Sequence, residues 1–213
     1  DASQLDPSTD LVYEDLWTDE AAAGRLRDAT TTLAYADLQT AAPVSLSCQG
    51  DWDSLCRTVI NYEEHIHPLW GRDRGINTCT ACHTTVDAAG MDRVPDAQLD
   101  LTDGASQQVA AHFRSYRELL FGDFEEEVGA DGLQDIVLPG PIDPDTGLPT
   151  EIRIPVAPSM SASGARASTR FFTPFNPGES HEDRLDAAEL RLISEWLDIG
   201  AQYYNDPFAV PPN

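Results

Sequence analysis

Cys79-Thr80-Ala81-Cys82-His83 is the stretch on which the reading of this chain turns. Two thiols separated by two residues, with an imidazole directly after the second, match the spacing of covalent haem attachment. The thiols reach the two vinyl groups while the next residue turns its imidazole to the iron. Two other chemistries use Cys-x-x-Cys. A structural zinc site wants a second ligand pair at similar spacing, and the remaining cysteines, Cys48 and Cys56, lack it. A thioredoxin-like pair opens a helix after a strand in a βαβ pattern, and none is read around Cys79. The motif therefore predicts one haem c per chain, with His83 as the proximal iron ligand.

Working outward, Gly71–Thr78 reads as a loop leading into the motif. From Asp53 to Trp70, the residues Leu55, Val59, Ile60, Ile66, Leu69 and Trp70 recur at mostly helical spacing, predicting a helix that Pro68 ends. A second helix is expected from Ser106 to Phe121, with Val109, Phe113, Tyr116 and Leu120 on one stripe. Ile136-Val137-Leu138 and Ile152-Arg153-Ile154 flank a proline- and glycine-containing turn at Pro141–Gly147, the pattern of a hairpin. The last helix has the clearest signals. Asp186 and Glu189 have capping-box spacing, and Leu190, Ile193, Leu197 and Ala201 follow at three- or four-residue steps beside Trp196. Residues 1–50 read as a polar N-terminal segment packing on the core, with one Ala-rich helix over Asp19–Leu38. The expected domain spans 51–213, with an insertion at about 122–157.

Two blocks, 53–83 and 164–204, carry a family resemblance. The first runs from Val59-Ile60-Asn61-Tyr62 through Leu69-Trp70 into Cys-x-x-Cys-His. The second runs from Leu185-Asp186-Ala187-Ala188-Glu189-Leu190 through Trp196-Leu197-Asp198-Ile199-Gly200-Ala201. Together they resemble class I monohaem c-type cytochromes and, more weakly, cytochrome modules appended to larger secreted bacterial proteins. The resemblance implies a mainly α fold, a class I cytochrome c-like helical domain around one covalent haem, here with a small β-hairpin insertion. It implies that the first and last helices cross beside the haem, with Trp70 and Trp196 among the cofactor contacts. The long interval between His83 and the last helix departs from a minimal cytochrome.

The sixth iron ligand has two principal candidates. Met160, in Pro158-Ser159-Met160-Ser161, sits in a loop of the right character. The order of the resembling family instead places the distal ligand just before the last helix, where Ser180-His181-Glu182-Asp183 stands. A Gly-x-x-x-Ser turn precedes the ligand loop in that family, and Gly164–Ser168 fits it, which favours His181 over Met160. His65, His67 or an open position are the remaining choices. Arg72, Arg74, Arg166 and Arg170 stand out in an acidic chain, and Arg72 and Arg74 are candidates to pair with the haem propionates, because a buried carboxylate needs a charged partner.

Composition bounds the rest. Thirteen basic against 37 acidic residues give a formal charge of −24, which disfavours binding to nucleic-acid phosphates or an anionic membrane and favours a redox partner with a basic docking face. No apolar run approaches a membrane span. The chain opens Asp1-Ala2-Ser3-Gln4, as a mature form or an excised domain would. Cys48 and Cys56 read as a disulfide, compatible with the periplasmic or extracellular bacterial setting in which haem c is attached. The expected function is single-electron transfer rather than catalysis. The alternative is a haem enzyme or a gas- or redox-sensing module, which needs an open distal position.

Overall fold

In this computed structural model the described residues are 10–13, 15, 18–27, 29–34, 40 and 59–204. Near the N-terminus, β1 (Asp10–Tyr13) pairs antiparallel with β2 (Thr31–Ala34). Between them lies a single helical turn, α1 (Glu20–Ala23), capped by the Asp19 carboxylate and ended by Gly24 at φ +63°. The helix expected over Asp19–Leu38 is thus cut short. Gly24 adopts the left-handed conformation that stops a helix, and the β-branched Thr31 and Thr32 enter a strand instead.

The helix expected over Asp53–Trp70 is also corrected. Val59 to Asn61 are not helical. The Asn61 side chain accepts from the Glu64 N–H and opens a π-helical turn, Tyr62–Ile66, closed by His67 N–H donating to the Tyr62 carbonyl at 2.7 Å. Pro68 starts rather than ends a helix, α2 (Pro68–Gly71), because the first helical position needs no N–H donor. Then come a 3₁₀ turn at Gly75–Asn77 and α3 (Cys79–Cys82).

Of the expected helix over Ser106–Phe121, only α4 (Arg114–Leu120) forms. The Ser106 hydroxyl accepts from the N–H groups of Gln108 and Val109, a local bond that competes with helix formation. Ala105 and Phe113 instead form an antiparallel bridge.

Residues 123–156 build a nested arm of strands. Its base is β3 (Asp123–Phe124) paired with β8 (Pro155–Val156). Inside are the hairpins β4 (Glu126–Gly129) with β5 (Gly132–Asp135), and β6 (Val137–Ile142) with β7 (Pro149–Arg153). The β6–β7 pair is the hairpin expected from the sequence, with Leu138 opposite Ile152. Then follow α5 (Thr169–Phe172) and α6 (Ala187–Asp198). The expected capping box of α6 is present in both directions, Asp186 accepting from the Glu189 N–H and Glu189 from the Asp186 N–H.

With 32% helix, 17% strand and, among the described residues, only short helices apart from α6, the fold is not plainly mainly α, and the class I cytochrome-like architecture expected from the resemblance is overturned. The physical cause is local. Gly24, Asn61, Ser106 and Pro68 each redirect backbone hydrogen bonds where periodicity alone predicts continuous helices.

The core lies where α6 meets α2, α4 and the π-turn. Leu192, Ile193, Trp196 and Leu197 from α6 are essentially buried with Tyr62, Ile66, Leu69, Trp70 and Leu119. Each such side chain contributes about 1.5–3 kcal/mol by leaving water. Several polar groups inside bond one another: Trp70 Nε1 donates to Tyr62 Oη at 3.0 Å, which donates to Ser115 Oγ at 2.9 Å. Tyr116 Oη donates to the Ala201 carbonyl at 2.9 Å, and Tyr62 N–H to the Tyr203 carbonyl at 3.1 Å. These bonds close the 201–204 segment over the core. Among the described residues no helix is long and apolar enough to cross a membrane.

Candidate functional site

The turn of α3 places Cys79 and Cys82 three residues apart on one helical side. His83 caps that turn, its N–H donating to the Cys79 carbonyl at 2.9 Å. Both cysteines are free thiols, each partly buried. Burial pushes the Cys79 thiol up, with Arg74 opposing. His83 and Cys79 open on a cleft of about 330 Å³ whose walls include Trp70, Leu99, Leu101, Phe171, Pro174 and Phe175. Trp70, Phe171, Phe175 and His181 form a continuous ring chain, with centroids 6.1, 5.2 and 5.6 Å apart in turn.

The far side of the cleft is His181. Its ring lies 6.1 Å from that of His83, centroid to centroid, at an interplanar angle of 29°. Two imidazoles on opposite sides of one metal, with bonds of about 2.0 Å and each ring centre roughly 1.1 Å behind its nitrogen, have centroids roughly 6 Å apart. Rings in simple contact also cover such separations, so the nitrogens decide. His83 Nδ1 faces the carbonyls of Asp96 and Leu99 at 2.9 and 3.2 Å. A carbonyl only accepts, so Nδ1 carries the proton and Nε2 keeps its lone pair, the outer-shell bond by which a metal-binding histidine is oriented. His181 Nδ1 lies 2.8 Å from Ser180 Oγ. Among the described residues neither Nε2 has a hydrogen-bond partner. Burial pushes both imidazoles below the usual histidine value, aided at His181 by Arg184. That direction favours the neutral form, the one that binds metal.

The loop that orients His83 is strained. Ala97 and Gln98, between the two accepting carbonyls, sit at φ +58° and +59°, a conformation costing roughly 1–2 kcal/mol for a side chain with Cβ. Strain of this kind persists where the surroundings over-determine it; here the Leu101 N–H donates back to the His83 carbonyl at 3.0 Å. Outside the cleft lining, Ala165–Ala167 form a 3₁₀ turn within the Gly164–Ser168 segment. Ser168 Oγ donates to the Gly164 carbonyl at 3.0 Å, and the Ala165 N–H reaches Asp198 Oδ1 of α6 at 2.8 Å. A Cβ at Gly164 would lie 2.9 Å from that same carboxylate oxygen. The turn is thus pinned to α6, and α5 with the His181 loop follows from it, His181 N–H donating to the Pro174 carbonyl at 2.8 Å.

Other candidates lie elsewhere. Met160 is buried in the core, its N–H bonded to the Leu119 carbonyl, and only its neighbour Ser159 lines the cleft. His65 is buried in the π-turn, and His67 packs on Phe113 and bonds Ser115. Trp196 packs on Tyr62 and Tyr116 rather than lining the cleft. Arg72 and Arg74 have a protein partner: both bond Glu189 Oε1, Arg72 at 2.7 Å, and Arg74 also donates to the Leu69 carbonyl at 2.8 Å. The cations at the cleft are Arg170, whose Nη1 donates to the Ala157 carbonyl at 2.8 Å, and Arg184. Sequence reasoning passed over Arg184, although its three-residue spacing from His181 was a usable signal. Leu99 and Leu101 carried none, because their role is to present backbone. Cys48 and Cys56, with the disulfide expected between them, lie outside the described residues.

No group of three or more His, Cys, Asp or Glu gathers as a metal site among the described residues. The cleft, the Cys79 thiol on its wall and the facing imidazoles suit a planar macrocycle with a central metal, which Cys79 and the neighbouring Cys82 would hold covalently and His83 and His181 through the metal. No family model, no curated protein and no solved structure matches the chain.

Proposed function

We propose that this chain is a monohaem c-type electron carrier with histidine on both sides of the iron. The observation that carries this reading is the facing of His83 and His181 across an aromatic-walled cleft directly beside Cys79. When bound, the group supplies a one-electron iron couple whose potential follows its axial ligands and burial. The protein's own part is to orient. The carbonyls of Asp96 and Leu99 hold the His83 tautomer, the 174–184 turn holds His181, and Trp70, Phe171 and Phe175 exclude water from the faces. Were His83 and His181 both to hold the metal, no position would be left for a substrate, which favours a carrier over a peroxidase or a gas sensor. Covalent attachment is carried out on the oxidising side of the bacterial membrane, so the reading includes a periplasmic or extracellular setting. The charge of −24 supports a redox partner with a basic docking face and an association rate that falls with salt.

Expression with a haem-attachment system tests this. The purified chain should retain haem after acid–acetone extraction, give a low-spin spectrum without the near-infrared methionine band, and resist carbon monoxide. His181→Ala should yield high-spin iron that binds carbon monoxide, whereas Met160→Ala should leave the ligand bands in place. An unchanged low-spin spectrum in His181→Ala would overturn the histidine pair, and a chain that takes up no covalent haem would overturn the whole reading.

A further inference from the structure

We propose that electron uptake at this centre is coupled to uptake of one proton by Glu118, through the network it makes with Asp100 and Arg114 behind His83. The proposal rests on the haem reading above and adds its control.

The segment Leu99-Asp100-Leu101 is shared by two clefts. Leu99 and Leu101 line the histidine cleft, and both bond the backbone or ring of His83. Asp100, between them, is buried and does not line that cleft. Its N–H donates to Glu118 Oε2, and its Oδ2 accepts from Arg114 Nη1 at 3.2 Å. A second tie runs one residue further along α4, where the Leu119 carbonyl accepts the Met160 N–H beside Ser159 on the cleft wall. Glu118 thus sits directly behind two wall segments of the candidate haem site.

Its other side faces water. Glu118 lines a separate polar cleft of about 280 Å³ with Arg117, Gln107, Asp123 and Glu126. Among the described residues Glu118 Oε1 takes no hydrogen bond, so it is free to receive a proton from that cleft. The charges that act on Glu118 are of both signs. The Asp100 N–H bond and Arg114 favour its ionisation, the Asp100 and Asp123 carboxylates disfavour it, and Arg117, Arg153, Asp135 and Glu126 complete the cleft. Arg153 is bonded to Asp135 at 2.7 Å, and burial pushes Glu126 up as well. Burial is the largest effect on Glu118 and pushes its carboxyl to about 8.

The balance is simple. One electron comes from the donor protein and one proton from solvent through the polar cleft. The Glu118 carboxylate becomes a carboxylic acid by forming one O–H bond, and no other bond changes. Added negative charge at the neighbouring centre favours protonation, and linkage requires the converse, that protonation favours reduction.

The test is a potentiometric titration of the haem-loaded protein from about pH 6 to about pH 9.5, the range bracketing such a group. The midpoint should fall as pH rises, with a limiting tenfold per pH unit, about 59 mV for one electron. Glu118→Gln should flatten the curve while the low-spin spectrum is retained. Should that variant fail to fold, the infrared difference spectrum of the unaltered protein serves, with a protonated-carboxyl band gained on reduction. A flat wild-type curve, a slope that survives Glu118→Gln, or no carboxyl band overturns the proposal and leaves the haem reading standing. Absence of covalent haem overturns both.

Discussion

The helical body and the strand arm are held together by different forces. Around the histidine cleft, α2, α4 and α6 share one core in which Tyr62, Leu119, Ile193, Trp196 and Leu197 are fully buried. In the arm, no residue from 121 to 159 is buried. Phe124, Val128, Val137, Leu138, Ile142 and Ile152 are exposed there, and the arm rests on ladder hydrogen bonds and a few side-chain ties. Gln98 is one tie, bonding the Glu126 backbone in both directions; the Arg153–Asp135 pair is another. A chain with two such regions has its site where burial is densest, because ligands facing across a gap must be held rigidly. The arm is a periphery whose register is set by local pairing.

Three substitutions test the contrast, from the largest effect downward. Glu189→Ala removes a buried carboxylate that accepts both Arg72 and Arg74 and completes the α6 cap. Breaking such a cluster on one side should cost about 3–5 kcal/mol in denaturant unfolding; a loss below 1 kcal/mol would mean that the arginines find water instead. Asp186→Ala deletes only the cap to the Glu189 N–H and should cost about 1 kcal/mol. Ile152→Ala in the arm trims an exposed side chain opposite Leu138 and should change global stability by no more than about 0.5 kcal/mol. If Ile152→Ala instead matched Glu189→Ala, the arm would be part of the cooperative core and the comparison would fail.

Legibility in the sequence followed the range of the interactions. The start of α6 was readable because its cap and its apolar stripe are local, but the helix ends at Asp198, short of the Ala201 that the stripe includes. The β6–β7 hairpin was readable for the same reason. The helices expected over Asp19–Leu38, Asp53–Trp70 and Ser106–Phe121 were misjudged in extent. Periodicity reports which residues are apolar but not where Gly24, Asn61, Pro68 and Ser106 break the backbone ladder. Within the candidate site, Arg72 and Arg74 drew attention as cations near the motif, yet the capping Glu189 takes them. That competition is invisible without the approach of α6 to the 72–74 loop.

The sequence by itself determined the chemistry on offer: two thiols and an imidazole on one turn, a capped final helix, an acidic surface and a short list of second ligands. Covalent spacing and local hydrogen bonding suffice for each of these. Only the tertiary structure decided which histidine faces His83, because residues 83 and 181 meet through the Gly164 turn, its bond to Asp198 and the 174–184 loop, contacts far apart along the chain. It also decided that Met160 belongs to the core and that Glu118 accepts from the Asp100 N–H between the two leucines bonded to His83. Long-range packing, with its cost in chain entropy, is what a local pattern does not encode.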